Sequence, residues 1–214
     1  MEKIPQPVIK RLCMIYQLLN EMFDKGHMTV SSSELGTTLG VGSHNIRKDI
    51  SCLDGVKSGG SGYDIVNLKN AIAQKFGFEN QKAACVVGLG RIGTAFLEHA
   101  HNITSEFRIV AGFDSNTNRI ETIKTSVSVY PAYQISETAR RLNIQIAILT
   151  VPNTAAQDAA NRLIDGGVKG IINFTDTNLV IRKDDVFVKN MDVTGEMRML
   201  SALIRMDMNN SITM

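Results

Sequence analysis

Three glycines and one aspartate carry the strongest chemical signal in the chain. The segment ACVVGLGRIGTAF (84–96) places Gly88, Gly90 and Gly93 in a G-x-G-x-x-G spacing, with Leu89, Arg91 and Ile92 between them. An apolar run precedes this turn, and a segment of helical character follows it. Asp114 closes the next apolar run, RIVAGFD, about 20 residues further on. Each residue type has a physical reason. Gly88 permits a tight turn, Gly90 lets the backbone approach a pyrophosphate, and Gly93 lets a helix pack close to a strand. The helix N-terminus offers N–H groups and a positive dipole end to phosphate. Asp114 is placed to accept hydrogen bonds from both hydroxyls of an adenosine ribose and to repel a 2′-phosphate, which favours NAD(H) over NADP(H). Arg119, close by, works against that preference. On the residues alone, another nucleotide such as coenzyme A stays open.

Two further groups could meet the same ligand. Thr150, Val151 and Pro152 follow a long apolar run, and the ends of parallel strands line the ligand crevice in this kind of fold. The alternative is an ordinary strand exit, with Asn153 or Thr154 capping the next helix. Asn173 and Phe174 end the following apolar run and could face a nicotinamide.

A different chemistry is available at 43–53, SHNIRKDISCL. At helical spacing, Ile46, Ile50 and Leu53 point inward and leave Ser43, His44, Asn45, Arg47 and Lys48 on the first two turns. Arg47 suits bidentate reading of guanine, and Lys48 suits phosphate. Lys57 could reach an adjacent groove or phosphate. A solvated polar helix face is the alternative, and His44 taken alone reads as a surface residue.

The elements that must position these groups fall into two halves. Helices are expected at 8–25, around Leu35 and Leu39, at 43–53 and at 65–77. Val8, Leu12, Ile15, Leu19 and Met22 give the first its apolar face, with Pro5 and Pro7 before it and Gly26 after it. Ser31, Ser32 and Ser33 can cap the second helix, and Ser43 the third. The turn Gly40-Val41-Gly42 joins two short helices in a helix-turn-helix plan. DGVKSGGSGY (54–63) suits a small β-hairpin, a wing. From residue 83 strands alternate with helices: strands at 84–88, 108–113, 145–151 and 170–174, with a weaker one near 126–130, and helices at 91–103, 136–143 and 153–166. That rhythm implies a parallel sheet covered on both faces. Residues 193–208 form a last helix with Met197, Leu200, Ile204 and Met208 in one stripe. Periodicity does not say whether that stripe packs within the chain or across a dimer. The fold class is therefore α/β: a winged helix-turn-helix domain (1–80), a Rossmann-like domain (81–192) and a C-terminal helix (193–214).

Bulk properties agree with this plan. The 214 residues are 43% hydrophobic and 21% charged, enough for a buried core. The net charge is +2. Residues 1–82 hold ten Lys/Arg and eight Asp/Glu, and the remainder holds thirteen of each. The small excess of positive charge thus lies in the N-terminal half. Cys13, Cys52 and Cys85 are widely spaced among apolar neighbours, which reads as reduced cysteines with no metal site. MEKIPQPVIKRL lacks the apolar run of a signal peptide, and no segment is long enough to span a membrane, so a cytoplasmic protein is expected.

Taken in order, the motifs IPQPVIKRL (4–12), VSSSELG (30–36), IRKDIS (46–51), GYD (62–64), VVGLGRIG (86–93), FD (113–114), AILTVP (147–152), GVKGIINF (167–174) and VKNMDV (188–193) resemble the Rex family of redox-sensing transcriptional repressors. The resemblance covers almost the whole chain. It implies a homodimer whose C-terminal helices are exchanged, palindromic operator DNA as partner, and NADH and NAD+ as ligands, with NADH releasing the protein from DNA. It implies no catalytic activity. It also marks switch positions. Gln17 stands where members often carry an arginine that couples the two domains, and Asp192 matches that arginine's acidic partner. His99 stands where a tyrosine linked to nicotinamide sensing is common. Thr175-Asp176 replaces a usual Ala-Pro, and Lys57 is the only basic residue in the wing.

Two other functions compete. A small NAD(P)-dependent oxidoreductase would need acid/base groups; His99, His101, Asp158 and Lys169 are available, but no spacing gathers them and no substrate domain is evident. A regulator that binds coenzyme A or another nucleotide, with weakened DNA recognition, would suit the sparse wing.

Overall fold

Residues 84–87 are apolar at every position, and that sets the architecture of the second half of the chain. In the computed structural model, which describes residues 4–99 and 105–212 (side chains 208–212 excepted), Cys85 and Val87 enter one core. Ala84 and Val86 enter another on the opposite face. A strand buried on both sides must lie inside a covered parallel sheet. The chain divides into two units, residues 1–80 and 81–214.

The first unit is mainly helical. α1 (Gln6–Asp24) begins behind Pro5 and buries Leu12, Ile15 and Leu19 along one face; Gly26 follows with φ +82°. Burying each such side chain stabilises the unit by about 1.5–3 kcal/mol. β1 (Thr29–Val30) leads into α2 (Ser32–Leu39). Ser31 caps α2: its hydroxyl accepts from the Glu34 N–H, and the Glu34 carboxylate accepts from the Ser31 N–H. Gly40, with φ +64°, ends α2. α3 (Ser43–Ile50) follows at once and is shorter than expected. Gly42 is its N-cap rather than Ser43, and no side chain caps it. Gly36 lies where α2 meets this turn, and a Cβ there would overlap the Val41 carbonyl. The hairpin expected at 54–63 is minimal: one antiparallel bridge between Gly59 and Gly62. Its outgoing arm, β2 (Tyr63–Asp64), pairs back with β1. Neither strand was expected, because two residues give no alternation to read. α4 (Ile65–Phe76), capped by Asp64, closes the core with Ile65, Leu68 and Ile72.

Among the described residues, the second unit holds six parallel strands: β3 (Lys82–Val87), β4 (Phe107–Asp114), β5 (Val129–Pro131), β6 (Ile146–Leu149), β7 (Gly170–Asn173) and β8 (Phe187–Asn190). Their order is β5-β4-β3-β6-β7-β8. From β3 the chain steps outward to β5, then returns past β3 to β6, the doubly wound arrangement. The switch point lies between β3 and β6. α7 (Ile135–Arg141) and α8 (Asn153–Asp165) cover one face through Ile135, Ala139, Ala156, Ala160 and Leu163. α5 (Arg91–Glu98) covers the other through Leu97 and Phe96. α6 (Thr117–Thr122), capped by Asn116, and β8 carry too few buried residues to be evident from pattern. α9 (Val193–Ile212) ends the unit. The last residues of the helix expected at 91–103, and His101, lie outside the described residues, as does the side chain of Met208. No helix among the described residues is long and apolar enough to cross a membrane.

Candidate functional site

The glycine turn sits at the carboxyl end of β3, beside the carboxyl end of β6. Gly88 has φ +91°, and a Cβ there would lie 2.7 Å from the Val151 nitrogen and 2.8 Å from the Thr150 carbonyl oxygen. Both the conformation and the space therefore demand glycine. A Cβ on Gly93 would overlap the Gly88 carbonyl and come within 2.8 Å of the Thr150 hydroxyl. Nothing lies within 4 Å of the Cβ position of Gly90, so the backbone is open to a close approach there. Gly90 is the N-cap of α5, and no side chain caps that helix. Its first turn is thus available to an anion.

Asp114 ends β4 and is only 4% exposed. Its Oδ2 accepts from the Leu89 N–H (2.7 Å) and from Arg119 Nη1 (2.9 Å), while its Oδ1 accepts from the Asn116 N–H (2.8 Å). Burial pushes this carboxyl up, but the three donors outweigh burial and hold it below the usual carboxylate range. The aspartate therefore serves the turn itself: it binds the backbone between Gly88 and Gly90.

A cavity of about 750 Å³ opens over this junction, of a size that suits a nucleotide ligand. Gly88, Gly90, Asp114, Thr150, Val151 and Pro152 all line it. The Thr150 hydroxyl lies 2.6 Å from the Gly88 carbonyl and 3.1 Å from that of Val87, so it ties β6 to the turn. Pro152, not Asn153 or Thr154, is the N-cap of α8. Leu89 is buried in the core under α5. Arg91 and Ile92 are exposed on the first turn of α5, with Arg91 beside Gly90 on the other flank of the turn. Asn173 and Phe174 do not line the large cavity. Asn173 is fully buried, its amide donating to the Thr177 carbonyl and the Asn190 side chain, and Phe174 packs on Phe96 at 5.6 Å. Sequence reasoning missed Tyr133, exposed at the cavity rim, and the ion pair between Asp158 and Arg162, one turn apart on its wall. The i,i+4 spacing of that pair was a legible signal.

In the first unit, α3 presents His44, Asn45, Arg47 and Lys48 to solvent, with Ser43 half-buried at its start. Ile46, Ile50 and Leu53 are buried beneath, as the spacing requires. Arg47 donates to the Ser32 hydroxyl of α2 (3.1 Å). Lys57 is exposed in the loop before the Gly59–Gly62 bridge. One residue on the buried face is charged. Asp49 receives a two-pronged hydrogen bond from Arg11 of α1, Nε to Oδ2 at 2.5 Å and Nη2 to Oδ1 at 2.8 Å. The pattern contained its signal, since Asp49 falls one turn from Ile46 and a charge there needs a partner.

The three residues that the resemblance marks as switch positions are all exposed: Gln17 on α1, His99 at the C-cap of α5, and Asp192 just before α9, where it accepts from the Gly195 N–H (2.7 Å). His99, Asp158 and Lys169 form no cluster; Asp158 pairs with Arg162, and Lys169 with Asp185. No group of His, Cys, Asp or Glu among the described residues is arranged to hold a metal. Cys85 is buried, which pushes its thiol up and leaves it unreactive.

A helix-turn-helix unit joined to a doubly wound sheet with a glycine turn at its switch point defines a class: a DNA-binding module carried on the same chain as a nucleotide-binding module. The comparisons narrow it. Residues 3–51 match the model of a putative DNA-binding protein N-terminus, and residues 79–177 that of a CoA binding domain. The redox-sensing transcriptional repressor Rex 1 of Enterococcus faecalis is 34% identical over 204 residues, 95% of this chain and 94% of that one. Among solved structures, RSP, a Rex-family repressor, aligns with a TM-score of 0.86 in its complex with β-NAD+ and operator DNA (27% identity; 100% of this chain, 98% of that one). Its complex with β-NADH aligns at 0.85 (26% identity, 100% of each). The chain belongs to the Rex family of redox-sensing transcriptional repressors.

Proposed function

We propose that this protein is a transcriptional repressor that binds palindromic operator DNA as a homodimer and is released by NADH, so that operator occupancy reports the NADH/NAD+ ratio. The observation that carries this reading is the likeness, along the whole chain, to a repressor solved both with β-NADH and with β-NAD+ and operator DNA. The local geometry supports it. Residues 1–80 are the DNA-binding domain. Arg47 reads base edges, with Ser43, His44 and Asn45 beside it; Lys48 and Lys57 meet phosphate. Residues 81–192 bind NAD(H). Gly88, Gly90 and Gly93 shape the turn, Leu89 fastens it to Asp114 through its N–H, and Arg91 and Ile92 present the first N–H groups of α5 to the pyrophosphate. Asp114 meets the adenosine ribose, and Thr150, Val151 and Pro152 line the dinucleotide's path. Asn173 and Phe174 act from behind, holding the end of β7 in place. Residues 193–214 are the dimerisation helix, exchanged between subunits. Gln17, His99 and Asp192 are the switch positions. This reading gives the chain no catalytic role and a cytoplasmic location.

The dinucleotide supplies a redox-dependent ring; the chain's own residues bind and orient it and supply the output. Release requires that NADH bind the DNA-incompetent state more tightly than the competent one, since equal affinity for both would shift nothing. The match of residues 79–177 to a CoA binding domain gives the coenzyme-A alternative one specific footing. Operator duplexes selected by the protein from random DNA, followed by mobility-shift titration, test both readings. NADH is expected to dissociate the complex, and NAD+ and coenzyme A are not. Specific binding untouched by NADH would refute the sensing claim.

A further inference from the structure

Asp114 cannot do for a bound ribose what an aspartate at this position does when it stands alone. An ionised carboxylate offers about four acceptor positions. Three are already taken, by the N–H groups of Leu89 and Asn116 and by Arg119. The two backbone donors belong to the turn and to the start of α6 and cannot leave without unmaking them. Arg119 is different. Its side chain is 45% exposed, it approaches Asp114 at 2.9 Å, and it lines both the large cavity and the smaller one on the far side of Gly90. A guanidinium therefore occupies one acceptor position of the carboxylate that would receive ribose hydroxyls and repel a 2′-phosphate, and it does so on the wall of the cavity.

We propose that Arg119 sets the choice between dinucleotides with and without a 2′-phosphate, and that it narrows the preference for NADH over NADPH. With Arg119 on Asp114, one hydroxyl finds a carboxylate position, the acidic charge is partly neutralised, and a planar donor remains for a phosphate. The inference rests on the site's being a dinucleotide site.

The test is calorimetric titration of the full chain with NADH and NADPH, repeated on Arg119→Ala and Arg119→Lys. Arg119 is exposed and outside both cores, so the variants are expected to fold; thermal melts check this. In the wild type, NADH is expected to bind more tightly than NADPH, and this ratio is the reference for the variants. In Arg119→Ala, the NADH:NADPH affinity ratio is expected to rise roughly tenfold or more, the worth of one charge-assisted hydrogen bond. The change should fall on NADPH, with NADH held or strengthened as Asp114 regains a free position. Arg119→Lys, which keeps the charge and loses the fork, should lie between. An unchanged ratio in Arg119→Ala, with NADH still bound, overturns the role of Arg119 and leaves the dinucleotide site standing. Binding of neither dinucleotide to the wild type overturns the site, and the inference with it.

Discussion

At the scale of single residues, the three glycines of the turn have separable duties. Gly93 has no room for a Cβ, whereas Gly90 has nothing near it. Gly93→Ala is therefore expected to destabilise the protein by about 1–3 kcal/mol, the usual cost of overpacking. Gly90→Ala should change stability by less than about 0.5 kcal/mol. The Gly90 backbone, at φ −69° and ψ −166°, is open to alanine. Yet its methyl group would stand where the pyrophosphate approaches, and NADH affinity should fall about tenfold or more. Denaturant melts and calorimetry on the two variants separate the duties. Asp114 makes a pH-dependent contribution. Its carboxyl is held below its ordinary value of about 3.9. The stability it supplies is complete above that ordinary value and is lost as pH falls through the depressed one. Asp114→Asn should cost about 1–3 kcal/mol at pH 7. The gap between wild type and variant should close only below about pH 4, as urea titrations at stepped pH would show.

At the scale of elements, the Arg11–Asp49 pair fixes α3 against α1. Removing one partner strands a buried charge, so Arg11→Ala is expected to destabilise the protein by about 2–4 kcal/mol, discounted because Arg11 is partly exposed. Pairing Arg11→Met with Asp49→Leu should recover most of that loss in the same melts. This element also shows what the sequence could and could not reveal. The inward face of α3 was legible because Ile46, Ile50 and Leu53 repeat at helical spacing. Asp49 sat on that face, but its partner lies 38 residues away and no local pattern names it. The glycine turn and its strands were legible for a similar reason: a strand buried on both faces is apolar throughout. β1, β2 and β8 were not, because their stability comes from the strands they pair with rather than from their own residues. Asp114 was found by spacing, while its three donors depend on a turn that only the folded chain makes. Asn173 and Phe174 were placed by analogy with a strand end. In the fold, the amide of Asn173 is spent on Thr177 and Asn190, and neither Asn173 nor Phe174 lines the large cavity.

At the scale of the whole molecule, α9 is the element that one chain leaves unfinished. Met197, Leu200, Leu203 and Ile204 are between 55% and 64% exposed along it. So extended an apolar surface marks an interaction site, and an exchanged dimer would cover it. Leu200→Asp combined with Ile204→Asp should convert the dimer to monomer in sedimentation and weaken operator binding, since a palindrome is read by two copies together. If the doubly substituted protein stays dimeric, the dimer interface lies elsewhere. The redox response is the property that unites the two units. Operator occupancy, followed by fluorescence anisotropy at fixed total NAD(H) while the NADH fraction is raised, measures it directly. Occupancy is expected to hold in NAD+ and to fall steadily as NADH replaces it; occupancy independent of the NADH fraction, with the dinucleotide shown to be bound, would contradict a redox-sensing repressor.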